Sequence, residues 1–280
     1  MNRLVTLGVK GGPSLRPGGA MPTSSLLELD GQSIVIDAGL GVSRALVNAG
    51  FALNRLATIF ITHLHSDHVL ELGPLIHTAW TCGLKTPVRV YGPTGIAAYW
   101  DGFIQSMAYD IHLRQVDDGR PSLADLVTVI PLAEGRVPFD GLRVHALAVN
   151  HPPVNYAYAY RFDGSKSVTF SGDTAYHPPL ADFAKGTDIL VHEALLPEGI
   201  EAILQRTGGG EKLRHHLTAA HTMIGDVGRV AATAQARKLV LNHLVPAGDP
   251  AFSGTDWTSQ AAVHYSGPII VGQDGLEIPL

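Results

Sequence analysis

Residues 62–68 read Thr-His-Leu-His-Ser-Asp-His, an H-x-H-x-D-H cluster placed directly after the apolar run Ala57–Ile61. No other feature constrains the fold as strongly. Polar groups clustered at the end of a buried strand are costly unless something pairs with them. Neutral imidazole and ionised carboxylate are the ligand set for zinc, manganese or iron. On an extended segment side chains alternate faces, so His63 and His65 point the same way and can grip one ion. Where the chain turns into a helix, Asp67 and His68 can swing toward a second ion beside the first. A structural role is the ordinary reading of a lone histidine, but four such side chains at this spacing read as a metal site.

The rest of the chain repeats one pattern: an apolar run of strand length ends, and a metal-type side chain follows. Leu26–Leu29 and Ser33–Ile36 flank Asp30-Gly31, a hairpin turn, and lead to Asp37-Ala38-Gly39. Leu142–Val149 runs into Asn150-His151, Val168–Phe170 into Ser171-Gly172-Asp173, Ile189–Val191 into His192-Glu193, and Leu239–Leu241 into His243. Tyr156, Tyr158, Tyr160 and Phe162 alternate with smaller or polar residues, the period of a strand with one aromatic face. That stripe, with Trp80 and Tyr109, is either core or the lining of an apolar pocket. Helices are expected within Asp67–Thr81, Thr94–Met107 and Ala219–Ala236. Tyr109–Leu123 and Glu198–His216 read as surface loops, the second a candidate border of the site. The whole is α/β, and strand ends that open into loops plausibly converge on one cleft.

Composition limits the function classes. With 280 residues, 45% hydrophobic and 16% charged, the chain can bury a large core as one α/β domain or two small ones. A net charge of −5 argues against a nucleic-acid surface, which shows as a basic excess. Cys82 is the sole cysteine, so no internal disulfide or cysteine zinc site can form. Nothing approaches a membrane span, and Met1–Met21 lacks the apolar core of a signal peptide. The expectation is a cytoplasmic protein, or one whose export signal has been removed. Oligomeric state is unreadable, and a homo-oligomer is compatible with the sequence.

With His63, His65, Asp67 and His68 followed in order by His151, Asp173 and His243, the chain resembles the metallo-β-lactamase superfamily of hydrolases. The resemblance runs from the Ser25–Ile36 hairpin to Leu239–His243. It implies a four-layer αββα sandwich, a single domain over residues 1–280. It also implies two divalent metal ions, Zn2+ first and Mn2+ or Fe2+ as alternatives. His63, His65 and His151 would hold one ion, Asp67, His68 and His243 the other, and Asp173 would bridge them. Two adjacent dications need a shared anion, and Asp173 is the carboxylate in a Gly-Asp-Thr turn after a strand. Standing alone, His151 would read as a capping or core histidine. Asp37 is either a support that orients the histidine loop or a turn residue before Gly39. The remaining histidines, His215 and His216 among them, read as structural or surface.

A metal-bridging hydroxide would be the nucleophile, formed because two cations lower the pKa of a shared water, and Asp67 would accept its hydrogen bond. His192-Glu193-Ala194 and Ala220-His221-Thr222 are similar to paired motifs of the ribonuclease Z and arylsulfatase-like group. In that resemblance Glu193 and His221 protonate the leaving group; the alternative is a buried salt link at a helix start. The expected reaction is hydrolysis of a small-molecule ester, a phosphodiester or aryl sulfate. A lactone or carboxylic ester is the runner-up, although Val69-Leu70-Glu71-Leu72 replaces the Gly-Gly usual in lactonases. A transfer-RNA 3′-processing endonuclease comes third, because the chain is acidic and has no long basic, glycine-rich arm. An iron redox enzyme or an inert ligand-binding fold is disfavoured, since every expected ligand is present.

Overall fold

The computed structural model describes residues 2–280. Asp30 and Gly31 both adopt positive φ (50° and 80°), the geometry of a two-residue hairpin turn. That turn sets Leu29 opposite Gln32 and Leu27 opposite Ile34. Strands β1 (Arg3–Gly8), β2 (Ser24–Leu29), β3 (Gln32–Ile36), β4 (Thr58–Phe60), β5 (Val88–Gly92) and β6 (Val127–Pro131) join β14 (Leu276–Pro279) in one sheet. Its order is β14-β1-β2-β3-β4-β5-β6, antiparallel as far as β3 and parallel beyond it. Strands β7 (Gly135–Val137), β8 (Arg143–Ala148), β9 (Tyr158–Asp163), β10 (Ser167–Phe170), β11 (Ile189–Leu195), β12 (Leu239–Val245) and β13 (Ile269–Val271) form the second. It is ordered β13-β12-β11-β10-β9-β8-β7, parallel from β10 to β13 and antiparallel from β7 to β10.

Parallel neighbours need crossover connections, and helices supply them. The period of two then decides the layers. On β2, Leu26 packs outward with Leu46, Leu72, Leu75 and Trp100 of the first helical layer. Its neighbour Leu27 packs inward with Phe60, Tyr91, Tyr160 and Val240, between the sheets. The outer face of the second sheet packs Leu190, Leu239 and Leu241 against Leu180, Val227 and Trp257 of the opposite helices. The result is the expected αββα sandwich.

The aromatic stripe belongs to this core. Tyr158, Tyr160 and Phe162 are buried between the sheets, where Phe60 stacks on Tyr91 at 4.5 Å and meets Tyr160 edge-on at 5.1 Å. Tyr156 precedes the strand and is half exposed, Trp80 is fully buried in the outer core, and Tyr109 is exposed. Residues Tyr109–Leu123 differ from the loop expectation. Ala108–Asp117 is a helix, braced by Asp110 and Arg114 one turn apart at 2.9 Å, and polar because most of it faces solvent. Glu198–His216 is likewise mostly helical: Gly199–Thr207 and Glu211–Ala220 flank Gly208–Gly210, with Gly208 ending the first helix at φ 67°. The helix expected over Ala219–Ala236 is Ile224–Thr233, because the chain is extended at His221. Among the described residues no helix is long and apolar enough to cross a membrane.

Candidate metal centre

Every expected ligand lies at one end of the sandwich, just beyond or within a strand terminus. His63 and His65 leave β4, and Asp67 and His68 are buried on the one-turn helix Ser66–Val69. His151 follows β8, Asp173 follows β10, and His243 lies within β12. Backbone geometry aims two of them. Between β11 and β12 the register shifts after Glu193, so that Glu193 pairs with Asn242 and Ala194 with Leu244. His243 is the bulged residue between, at φ 41°, and a bulge of this kind re-aims one side chain out of the ladder. Gly172 holds φ 58°, and a Cβ there would sit 2.6 Å from the Tyr158 carbonyl oxygen. Only glycine lets the chain bend there to present Asp173.

Hydrogen bonds to the far side of each ring fix which nitrogen faces the centre. His151 Nδ1 donates to the Ala220 carbonyl (2.8 Å), leaving Nε2 inward. His63 Nδ1 lies 3.1 Å from Thr62 Oγ1. His68 Nδ1 is 2.8 Å from Asp37 Oδ2, while Asp37 Oδ1 accepts the Thr62 N–H at 2.7 Å. Asp37 is therefore a support for the histidine loop as well as a turn residue at φ 61°. The Tyr160 hydroxyl donates to Ile61 O (2.8 Å), tying the same loop to the aromatic core.

Inside this frame the donors converge. His65 Nδ1 lies 3.0 Å from His63 Nε2 and 3.1 Å from His151 Nε2. Asp67, His68 and His243 form a second group that could hold an ion, with His243 Nε2 3.3 Å from Asp67 Oδ2. Asp173 Oδ2 lies between the two groups. It is 3.8 Å from Nε2 of His63 and of His151, 3.3 Å from that of His68 and 3.0 Å from that of His243. Burial opposes charge on His63 and His151, pushing the first below its ordinary value and the second to about 4, whereas at His68 the carboxylates of Asp173, Asp37 and Asp67 outweigh burial and raise the group. Neutral His63 and His151 turn their Nε2 lone pairs toward the same space and repel, and among the described residues buried His68 Nε2 and Asp173 Oδ1 have no hydrogen-bond partner. That donor set fits divalent cations.

Beside it, Glu193 holds His221. The His221 Nδ1 is 3.1 Å from both Glu193 oxygens, and Glu193 Oε1 also accepts the Thr174 N–H at 2.8 Å. Burial works against the His221 imidazolium, but the adjacent carboxylate outweighs it and raises the group to about 9. The His221 ring stacks on His243 at 5.4 Å and reaches the cleft. That cleft, about 340 Å³, is bounded by His65, Asp67, His243, Ile203, Leu213 and Leu217. Segment 198–216 therefore does border the site. The sequence reading missed His216, half-buried with its ring 5.9 Å from His221 and 6.2 Å from His151. It also missed Lys10, Arg16 and Arg206. A His-His pair on a polar helix and isolated basic residues carry no local signal.

This geometry agrees with the sequence comparisons. A family model described as Anti-Pycsar protein Apyc1 matches residues 3–209. The chain belongs to the Apyc1 family, within the metallo-β-lactamase superfamily of hydrolases. Ribonuclease Z of Mycobacterium marinum is 30% identical over 278 residues, covering 96% of each chain. Ribonuclease Z of Mycobacterium bovis is 29% identical over 280 residues, covering 96% of this chain and 95% of its own. Among solved structures, the metallo-β-lactamase fold protein YhfI from Bacillus subtilis superposes with a TM-score of 0.72 at 20% identity, covering 99% of this chain and 98% of its own. The short form of human tRNase Z, ELAC1, gives 0.68 at 19%, with the same coverage. The family places this chain among metal-dependent hydrolases of ester bonds.

Proposed function

We propose that the chain is a binuclear, zinc-dependent phosphodiesterase acting on a small-molecule ester. The observation that carries this reading is the position of Asp173 Oδ2, 3.0 to 3.8 Å from the Nε2 atoms of four histidines drawn from two donor groups. His63, His65 and His151 would hold one ion and Asp67, His68 and His243 the other, with Asp173 shared. Bound divalent cations supply Lewis acidity, which acidifies an attacking water and draws charge from the phosphoryl oxygens.

The protein groups do the rest. The Gly12 N–H donates to Asp67 Oδ2 at 2.7 Å and fixes that carboxylate, which accepts the hydrogen bond of the incoming water. As the bond from phosphorus to the leaving oxygen breaks, His221 Nε2 delivers a proton to that oxygen, while Glu193 holds the ring through Nδ1. Ile203, Leu213 and Leu217 wall a cleft of a size suited to a small ligand. Relatives named ribonuclease Z, and a structural neighbour named as a diphosphatase of the PhnP family (TM-score 0.66), favour phosphorus over carbonyl or sulfur centres.

A second reading, cleavage of an RNA phosphodiester at a transfer-RNA 3′ end, is favoured by the 30% identity to ribonuclease Z over nearly the full chain. The net charge of −5 weighs against it. A single panel separates the readings: zinc-loaded protein with bis(4-nitrophenyl) phosphate, 4-nitrophenyl sulfate, a lactone, a carboxylic ester and a precursor transfer RNA. Turnover of the diester above all others, with weak RNA binding, is the expected result. Tight, salt-sensitive RNA binding with 3′ cleavage would replace the small substrate with the RNA, and preference for the sulfate or lactone would refute the phosphodiester.

A further inference from the structure

Past the histidine and aspartate cluster, the cleft continues to a group of cations that the chemistry above does not use. Lys10, just beyond β1, is only 6% exposed, and its ammonium donates to the carbonyls of Gly11 (3.0 Å) and Gly12 (2.6 Å). Among the described residues no carboxylate pairs with it. Arg16 lines the same cleft, and among the described residues its guanidinium makes no hydrogen bond. Its position is set by a tight turn, Arg16-Pro17-Gly18-Gly19, closed by the Gly19 N–H on the Arg16 carbonyl (3.1 Å) with Gly18 at φ 65°. Arg206 enters from the helix Gly199–Thr207 and is bound at 2.6 Å by Asp249.

These three cations line both the main cleft and an adjoining recess of about 240 Å³ that reaches Gly248 and Pro250. Asp249 pairs directly with Arg206 and attracts Arg16 from farther off, and among the described residues neither Lys10 nor Arg16 makes an ion pair, so positive charge gathers at one wall of a chain whose net charge is −5. Burial, joined by repulsion from Arg16 and Arg206, pulls the Lys10 ammonium down to about 8 against the attraction of Asp67. A buried cation without an anion is unfavourable by itself, and a ligand that brings the anion relieves it. Guanidinium forks and an ammonium together suit a phosphate group, which offers several acceptor oxygens and up to two charges.

We infer that Lys10, Arg16 and Arg206 form an anion subsite for a second phosphate group of the substrate, beyond the ester that is cut. The inference deepens the phosphodiesterase reading and rests on it for which end of the ligand meets the metal cluster. The substrate class is therefore a phosphodiester that carries a further phosphate.

Isothermal titration of the zinc-loaded full chain with α,ω-alkanediol bisphosphates, in a series of spacer lengths, and with the matching alkyl monophosphates tests this directly. At least one spacer should bind about tenfold or more tighter than its monophosphate, the worth of one or two charge-assisted hydrogen bonds. Arg16→Ala, which breaks no protein hydrogen bond, and Lys10→Met, which keeps side-chain length, should each erase most of that preference. Bisphosphates that bind no tighter than monophosphates at every spacer would overturn the subsite, as would a preference that survives both substitutions. Selective bisphosphate binding by a protein that cleaves no diester would keep the subsite and remove the reaction. Diester cleavage without bisphosphate preference would do the reverse.

Discussion

At the scale of single residues, the centre is built from groups whose outer atoms are spoken for. Carbonyl, hydroxyl and carboxylate partners occupy the far side of His151, His63 and His68, so their free nitrogens can only face inward. Asp37→Ala should therefore weaken binding of the ion nearest His68 by about 10–100-fold, as loss of such a support does elsewhere, read by competition with a zinc-sensitive dye. Glu193 and His221 make a prediction of a different kind. An activated nitrophenolate leaves unaided, whereas an alkoxide needs a proton as its bond breaks. His221→Ala should slow an alkyl diester by roughly 10²–10⁴-fold while largely sparing an activated aryl diester, with both metals retained. Equal losses on both substrates together with lost metal would make His221 a structural support for the β12 end of the site.

At the scale of elements, strands and short turns were legible because their signals are local. Asp30-Gly31 sets a hairpin through two φ angles, and the alternation from Tyr158 to Phe162 marks a strand whatever surrounds it. The metal-type residues were legible for the same reason: each follows an apolar run that ends. Ala108–Asp117 was not, since a helix that buries little beyond Ile111 has the composition of a loop. Nor were the cleft walls, because Lys10, Arg16 and Arg206 meet only through tertiary folding. The bulge at His243 and the bend at Gly172 are backbone devices that no side-chain pattern announces. Gly172→Ala tests the second. A Cβ against the Tyr158 carbonyl at φ 58° should lower stability by about 1–3 kcal/mol, seen as a lower urea midpoint, and should reduce metal content by displacing Asp173. An unchanged midpoint would mean that the turn relaxes at no cost.

At the scale of the whole molecule, two sheets back to back leave their strand ends along a common edge, and the donors of both halves meet there. Asp67 comes from the first sheet's side, and His151, Asp173 and His243 come from the second's. Cations bound at that seam would join the two sheets and stabilise the native state by mass action, about 4 kcal/mol at a free-metal concentration a thousandfold above Kd. Chelation should accordingly lower the melting temperature, and zinc should restore it. The measurement that bears most directly on the centre is elemental analysis of the intact, metal-replete chain beside its Asp173→Ala variant. Two equivalents per wild-type chain, falling to one or fewer in the variant, is the predicted result. At most one equivalent in the wild type, or two retained without Asp173, would contradict a binuclear centre joined by that carboxylate.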